Sequence, residues 1–345
     1  MESLDREFLK ELTDTNGLPG LEDEVRTLIH DKVSSYADEV ETDWLGNLYM
    51  TKGKGNRGPH LAFAAHMDEV GLMVDRVDED GYIKLTPLGG IDPRVLLAKR
   101  VTVGKERIPG VIGSVPPFLV DAMDSKKVIG IKDLRLDIGA SSKAQAQSLV
   151  SPGDPVAFDT NFEARDGIIK GKAFDDRLGC YILAELIRED YDVPVTFIWT
   201  VQEEVGLRGA RIASARVKPD ILIVVEGTGA GDVPVDKDTS RLPRIGKGPV
   251  ITILDGSVVA SRRLMDFITN TADACGLPWQ YKRPLVGGTD AGAAVRVKSL
   301  DAAVVAVPSR YIHSPVAISS TDDIINAIKL VKKVTHDLKR RYIER

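Results

Sequence analysis

The chain has 345 residues, 43% of them apolar, and its 46 basic and 51 acidic residues leave a net charge of −5. That length suits two domains around a sizeable core, and the near-balanced, dispersed charge argues against a nucleic-acid surface. Two isolated cysteines exclude a disulfide framework or a thiolate zinc site, and no apolar run nears the roughly 20 residues of a bilayer span.

The N-terminus, Met1–Glu7, is charged and lacks an apolar signal core, so the expected location is cytoplasmic. Leu4, Phe8 and Leu12 share one helical face, and Leu21, Val25, Leu28, Ile29 and Val33 share another. These two helices are read as sheet cover. Short apolar runs follow at residues 47–50 and 60–66, and the second is almost continuous, as expected of a strand buried on both faces. From about Gly71 to Gly171 the runs are short and Gly or Pro recurs, which reads as a β-rich module with one short helix near residues 141–149.

Beyond Gly171 strands and helices alternate again. Helices are expected at 178–189, 209–217, 261–275 and 321–340, and strands at 193–201, 221–225 and 302–307. Ser320 or Thr321 caps the last helix, and Lys339, Arg340 and Arg341 close it against its negative pole. Cys180 and Cys275 read as small buried apolar residues. The alternation predicts an α/β fold: a mixed, mainly parallel sheet with helices on both faces, interrupted by the β-rich insertion.

Chemistry-bearing residues gather where predicted strands stop. Glu203 and Glu204 follow the strand at 193–201, His66, Asp68 and Glu69 follow 60–65, Asp175 and Asp176 follow 171–174, Glu226 follows 221–225, and His313 lies beyond 302–307. Ligands of open α/β sheets bind at the carboxyl ends of strands, so these residues converge although they are spread over residues 66–313. Taken singly, each has an ordinary explanation; Asp175 and Asp176, for example, also suit a helix start. Five strand ends together point to one site. Histidines and carboxylates without thiolate favour Zn²⁺, Co²⁺ or Mn²⁺. One bridging carboxylate with two terminal ligands per ion would hold two metals about 3.5–4 Å apart. Either Glu203 or Glu204 would then be the base. Asp68 lies two residues after His66, on the same face of an extended segment, where it could orient the imidazole.

The strings at 65–71 (AHMDEVG), 172–177 (KAFDDR), 201–206 (VQEEVG), 287–292 (GGTDAG) and 310–315 (RYIHSP) resemble, in order and spacing, the M42 family of dinuclear metallo-aminopeptidases, which includes glutamyl and tetrahedral aminopeptidases and some relatives labelled endoglucanase. The resemblance spans nearly the whole chain. It implies a zinc-peptidase-like catalytic domain over 1–71 and 168–345, and an inserted, barrel-like domain over 72–167 that makes dimer contacts. It implies two divalent ions per subunit, zinc foremost with cobalt or manganese as alternatives: His66 and Glu226 on one ion, Glu204 and His313 on the other, Asp175 bridging. Glu203 becomes the general base acting on a water held between the ions, with Asp68 supporting His66. Gly287, Gly288, Thr289 and Asp290 would lie beside the substrate. The implied activity removes N-terminal residues from short peptides, within a homo-oligomer of the tetrahedral dodecamer type. Rival readings are a dinuclear deacylase or carboxypeptidase on amino-acid derivatives, and a glycosidase.

Overall fold

The computed structural model describes residues 4–119, 127–236, 238, 239, 241–338 and 342. The basic cluster Lys339–Arg341, expected to end the last helix, lies outside these residues.

Two helices open the chain, α1 (Arg6–Asp14) and α2 (Asp23–Val33). The strands that follow are β1 (Glu39–Thr42), β2 (Leu48–Lys52) and β3 (Leu61–His66). Next come β4 (Gly71–Val77), β5 (Ile83–Leu88), β6 (Arg100–Val103), β7 (Ile108–Gly113), β8 (Arg135–Asp137), α3 (Lys143–Gln147) and β9 (Pro155–Phe158). The chain then forms β10 (Glu163–Arg165), β11 (Ile168–Gly171), α4 (Phe174–Leu186), β12 (Val195–Thr200), α5 (Arg208–Val217) and β13 (Ile221–Gly229). It ends with β14 (Val250–Ile251), α6 (Arg262–Ala274), β15 (Gln280–Tyr281), α7 (Asp290–Val297), β16 (Asp301–Arg310), β17 (Ala317–Ser320) and α8 (Thr321–Asp337).

The main sheet runs β1-β2-β12-β3-β13-β16-β17-β11-β10, with β14 and β15 joined to it through β16. Its four central strands, β12, β3, β13 and β16, are parallel, and the flanks are antiparallel. Alternation along β3 divides the core. Leu61, Phe63 and Ala65 enter the large cluster under α1, α2, α4, α6 and α8, while Ala62 and Ala64 face the smaller cluster with Ala213 of α5 and Ala291 and Ala294 of α7. Small side chains on that second face let α5 and α7 lie close. Both sheet faces are thus dry, as the unbroken apolar runs require.

The six strands β4 to β9 close into a separate antiparallel barrel in the order β4-β5-β8-β7-β6-β9. Its own core includes Leu72, Val74, Ile83, Val101, Val103, Ile112, Leu136 and Phe158. Closure removes the open edges that such short strands would otherwise expose.

Several expected boundaries move. Strands β13 and β16 pair from Ile221–Asp301 to Gly229–Ser309, well past their apolar runs, so Glu226 lies inside a strand and not at its end. The ladder continues because backbone pairing does not need apolar side chains. Helix α4 begins four residues before the apolar periodicity does, at Phe174. Cys180 is buried, but Cys275 is exposed: it caps the end of α6, where the helix leaves the core. The β1 strand, half-buried at Val40 and otherwise exposed, had no apolar signal to announce it.

Candidate active site

Because β12, β3, β13 and β16 are parallel, their carboxyl ends meet at one sheet edge. His66 closes β3, Glu203 and Glu204 sit in the turn after β12, Glu226 projects from β13, and His313 lies three residues past β16. Asp175 comes from the first turn of α4, where Asp175 and Asp176 both leave helical dihedrals. Gly227 makes the approach possible, since a β-carbon there would stand 2.9 Å from the Asp175 Cα. Two of the turns use a left-handed backbone at non-glycine residues, Gln202 (φ 55°) and His313 (φ 55°). Such conformations persist only where the surroundings impose them.

The two histidines are held alike. His66 Nδ1 lies 3.0 Å from the Asp68 carbonyl, and His313 Nδ1 lies 2.9 Å from the Gly90 carbonyl. A carbonyl only accepts, so Nδ1 carries the proton and donates, and Nε2 of each neutral ring keeps its lone pair. Both Nε2 atoms face one carboxylate. His66 Nε2 is 3.2 Å from Asp175 Oδ1, and His313 Nε2 is 3.3 Å from Asp175 Oδ2. Glu204 Oε1 is 3.3 Å from His313 Nε2. Ligand atoms about 2.0–2.2 Å from a tetrahedral ion stand roughly 3.3–3.6 Å apart, so these separations suit shared cations. His66, Asp175 and Glu226 form one potential ligand group, and Asp175, Glu204 and His313 another. Within the described residues Glu204 Oε1 and Glu226 Oε2 are buried without a hydrogen-bond partner. Orphaned carboxylate oxygens in two ligand groups sharing Asp175 fit a pair of divalent ions.

The electrostatics agree. Burial pushes the Glu203 carboxyl well above the usual range; His66 opposes this, and the charges of Asp290, Glu204 and Asp175 add to it. Burial first, then Glu203 and Asp175, does the same to Glu226. Glu204 is pushed up to about 7 by burial and by Asp175, against His313. Burial opposes charge on His313, but Asp175 and Glu204 outweigh it and raise the imidazole to about 9. Asp175 moves down although burial resists, because both imidazoles bond it. Four carboxylates crowded against two imidazoles seek positive charge.

Asp68 stands beside His66, as its spacing implies, and it also holds the neighbouring turn. Its carbonyl holds His66, while its carboxylate, 3.5 Å from His66 Nδ1, accepts the backbone N–H groups of Glu203 (2.9 Å) and Glu204 (3.0 Å). The preceding N–H, of Gln202, donates to Glu22 at 3.0 Å. Two buried carboxylates therefore grip three consecutive amides of the turn that carries both acids. Glu22 was not singled out from the sequence; no spacing rule links it to a turn 180 residues away.

Gly287, Gly288 and Thr289 line a cavity of about 490 Å³ that also reaches Asp175, Glu203, Glu204, Glu226 and His313. Asp290 is not part of that lining: it starts α7, is buried, and accepts from the Thr200 hydroxyl. Close packing behind the loop rests on Gly292, where a β-carbon would meet Ser257 Oγ at 2.2 Å.

The family model for M42 glutamyl aminopeptidase matches residues 46–330. The chain belongs to this family. It is a hydrolase acting on peptides, an aminopeptidase. The lysyl aminopeptidase of Pyrococcus furiosus is 34% identical, over 97% of this chain and 98% of its own. The crystal structure of a TET aminopeptidase from the marine sediment archaeon Thaumarchaeota archaeon SCGC AB-539-E09 superposes with a TM-score of 0.93 at 35% identity, covering 98% of this chain and 97% of that one. The TET1 peptidase of Pyrococcus horikoshii, titled as able to assemble into a tetrahedron or a large octahedral shell, gives a TM-score of 0.84 at 33% identity, covering 96% and 98%. The M42 reading of the motifs thus holds, as does the α/β fold with its inserted barrel.

Proposed function

We propose that this aminopeptidase works with two divalent ions, with His66 and Glu226 holding one, Glu204 and His313 the other, and Asp175 between them. The observation that carries the reading is the Asp175 carboxylate, whose two oxygens each face the Nε2 of a different, carbonyl-pinned histidine. The ions, zinc foremost, would polarise the scissile carbonyl and acidify water.

The chain's own groups supply the rest. Glu203, whose Oε2 is 4.0 Å from His66 Nε2, is kept basic by its buried, anionic setting. It takes the proton of the attacking water and returns it to the leaving amine. Asp68 and Glu22 fix the direction in which Glu203 points by holding its turn. The free α-amino group of a short peptide would bind beside the ions and acidic residues, and Gly287–Thr289 lets the peptide backbone come close. A blocked N-terminus lacks the free amino group that would bind beside the ions and acidic residues, which separates this reading from a deacylase.

We further propose cytoplasmic action within a homo-oligomer, with residues 72–167 as the inserted unit that pairs subunits. Among the described residues no helix is long and apolar enough to cross a membrane. The test is one assay set: free and N-acetylated peptides, each with zinc, cobalt, manganese or a chelator. Cleavage of free peptides alone, lost on chelation and restored by metal, is the expected result. Preference for the acetylated forms would favour the deacylase, and chelator-resistant cleavage of a β-glucan the glycosidase.

A further inference from the structure

A second cavity, of about 610 Å³, adjoins the first: Gly90, Ile312 and His313 line both. The bond from His313 Nδ1 to the Gly90 carbonyl, at 2.9 Å, is therefore the sill between them. One wall of the second cavity is the connection from β5 to β6, with Val95 and Leu97. The other is the turn from β16 to β17, with Tyr311, Pro315 and Val316. The inserted barrel and the catalytic sheet thus give one wall each. Leu97 and Tyr311 are 45% and 54% exposed. Singly such residues need no explanation, but together in one concave lining they mark a recognition surface. Tyr311 is presented by a left-handed backbone (φ 61°), which a non-glycine residue keeps only where its surroundings impose it. Arg94 and Asp92, also in the lining, satisfy each other, with Arg94 Nε 3.0 and 2.8 Å from the two carboxylate oxygens. Of these two cavities, only the first is lined by Asp175, Glu203, Glu204 and Glu226.

We infer that this second cavity is the subsite for the residue that follows the scissile bond, and that it favours an apolar or aromatic side chain there. The inference rests on the proposed placement of the peptide N-terminus beside the ions and acidic residues. Those groups line the first cavity, so the N-terminal residue occupies it, next to the loop Gly287–Thr289. The chain beyond the scissile bond then leaves across the sill. His313 Nε2 is 3.3 Å from Asp175 Oδ2, about one residue's advance along an extended chain. The first side chain past the scissile bond is therefore the one that arrives among Leu97, Tyr311 and Val316. Seating it there removes apolar surface from water on both partners. The preference rests on apolarity and shape, so it does not depend on the net charge of the first cavity with its ions. The inserted unit thereby takes part in substrate choice.

Paired tripeptides test this. kcat/KM is measured on the metal-loaded enzyme from release of the free N-terminal residue. One pair varies the second position, Leu-Phe-Gly against Leu-Ala-Gly, and the other varies the first, Phe-Ala-Gly against Ala-Ala-Gly. All four end in the same carboxylate, so any pull from Lys99 in the lining cancels within each pair. The proteins are wild type, Leu97→Ser, Tyr311→Asn and the double variant; asparagine is chosen because it tolerates the left-handed turn. Each ratio is internal to one protein, so partial misfolding or partial metal loading cancels. The wild type should prefer Phe over Ala at the second position by about tenfold, and the ratio should fall by about threefold in each single variant and toward one in the double variant. The first-position ratio should not move. A second-position ratio near one in the wild type, or unchanged in the double variant, would overturn the subsite and leave the placement of the N-terminus intact. A first-position ratio that falls in the double variant would overturn that placement, because the second cavity would then hold the N-terminal residue.

Discussion

Two clusters of buried charge lie side by side at the carboxyl edge of the sheet, and they are built in opposite ways. Around Glu69 the protein supplies its own cations. Lys172 Nζ is 2.5 Å and Arg177 Nη2 is 3.5 Å from Glu69 Oε1, and the Gly17 N–H also donates to it. The other guanidinium hydrogens of Arg177 go to the carbonyls of Leu12, Thr15, Gly17 and Met67. Around Asp175, by contrast, four carboxylates face two imidazoles, and Glu204 Oε1 and Glu226 Oε2 have no hydrogen-bond partner among the described residues. The same short stretch of sequence, residues 172–177, feeds both clusters. A chain that places Lys and Arg beside one buried acid has withheld them from the other. Compensation from within makes the Glu69 cluster a clamp between the N-terminal segment, β3 and α4. On the proposed reading, the Asp175 cluster leaves compensation to a bound ion, which can also do chemistry.

Substitutions should separate the two clusters. Asp175→Asn is the most severe. It should remove activity beyond the roughly 10–100-fold that losing a supporting partner costs. Added zinc, cobalt or manganese should raise the Tm of the wild type, and this rise should be absent in Asp175→Asn. A variant that still binds two ions by mass spectrometry would break the bridging assignment. Glu203→Gln should lower kcat by about 10²–10⁴-fold with the metal content unchanged. Near-wild-type turnover would mean another group is the base.

In the clamp the readout changes from rate to stability. Glu69→Gln strands Lys172 in the interior and should cost about 3–5 kcal/mol in denaturant unfolding. Metal stoichiometry of the folded fraction should stay the same; a loss of metal would show that the clusters are not separable. Glu22→Ala has the smallest expected effect, about a tenfold loss in kcat, from loosening the turn that carries Glu203. KM and bound metal should be unchanged, and Glu22→Gln, which keeps an acceptor for the Gln202 N–H, should recover most of the rate. Equal losses in both variants would argue that Glu22 is not a positioning residue.

The contrast also marks what can be read from residues. His66, Glu203, Glu204, Glu226 and His313 were visible because unbroken apolar runs identify strands buried on both faces, and such strands share a carboxyl edge, whereas Asp175, expected after a strand at 171–174, opens α4 beyond the antiparallel strand β11. Glu69 and Lys172 stand inside recognisable motifs, yet nothing in their spacing pairs residues 103 apart. Glu22 is the N-cap of α2, and its grip on Gln202 depends on how α2 meets the turn after β12. Asp68 shows the limit most clearly. Alternation places it near His66, where its carbonyl and its carboxylate both face Nδ1, but nothing in the spacing shows that the same carboxylate also holds the neighbouring turn. Cys275 was misjudged because apolarity alone does not say which end of a helix leaves the core.

By itself the sequence determined the α/β alternation, the existence of an inserted β module and the inventory of ligand-type residues at strand ends, since these depend on periodicity and residue chemistry within a few positions. Barrel closure, the inward turn of Asp290, the clamp around Glu69 and the meeting of two Nε2 atoms at one carboxylate were decided only by the tertiary structure. Each depends on strand register and on turn dihedrals imposed from a distance, and a shift of one residue in β3 or β13 would turn His66 or Glu226 to the opposite face.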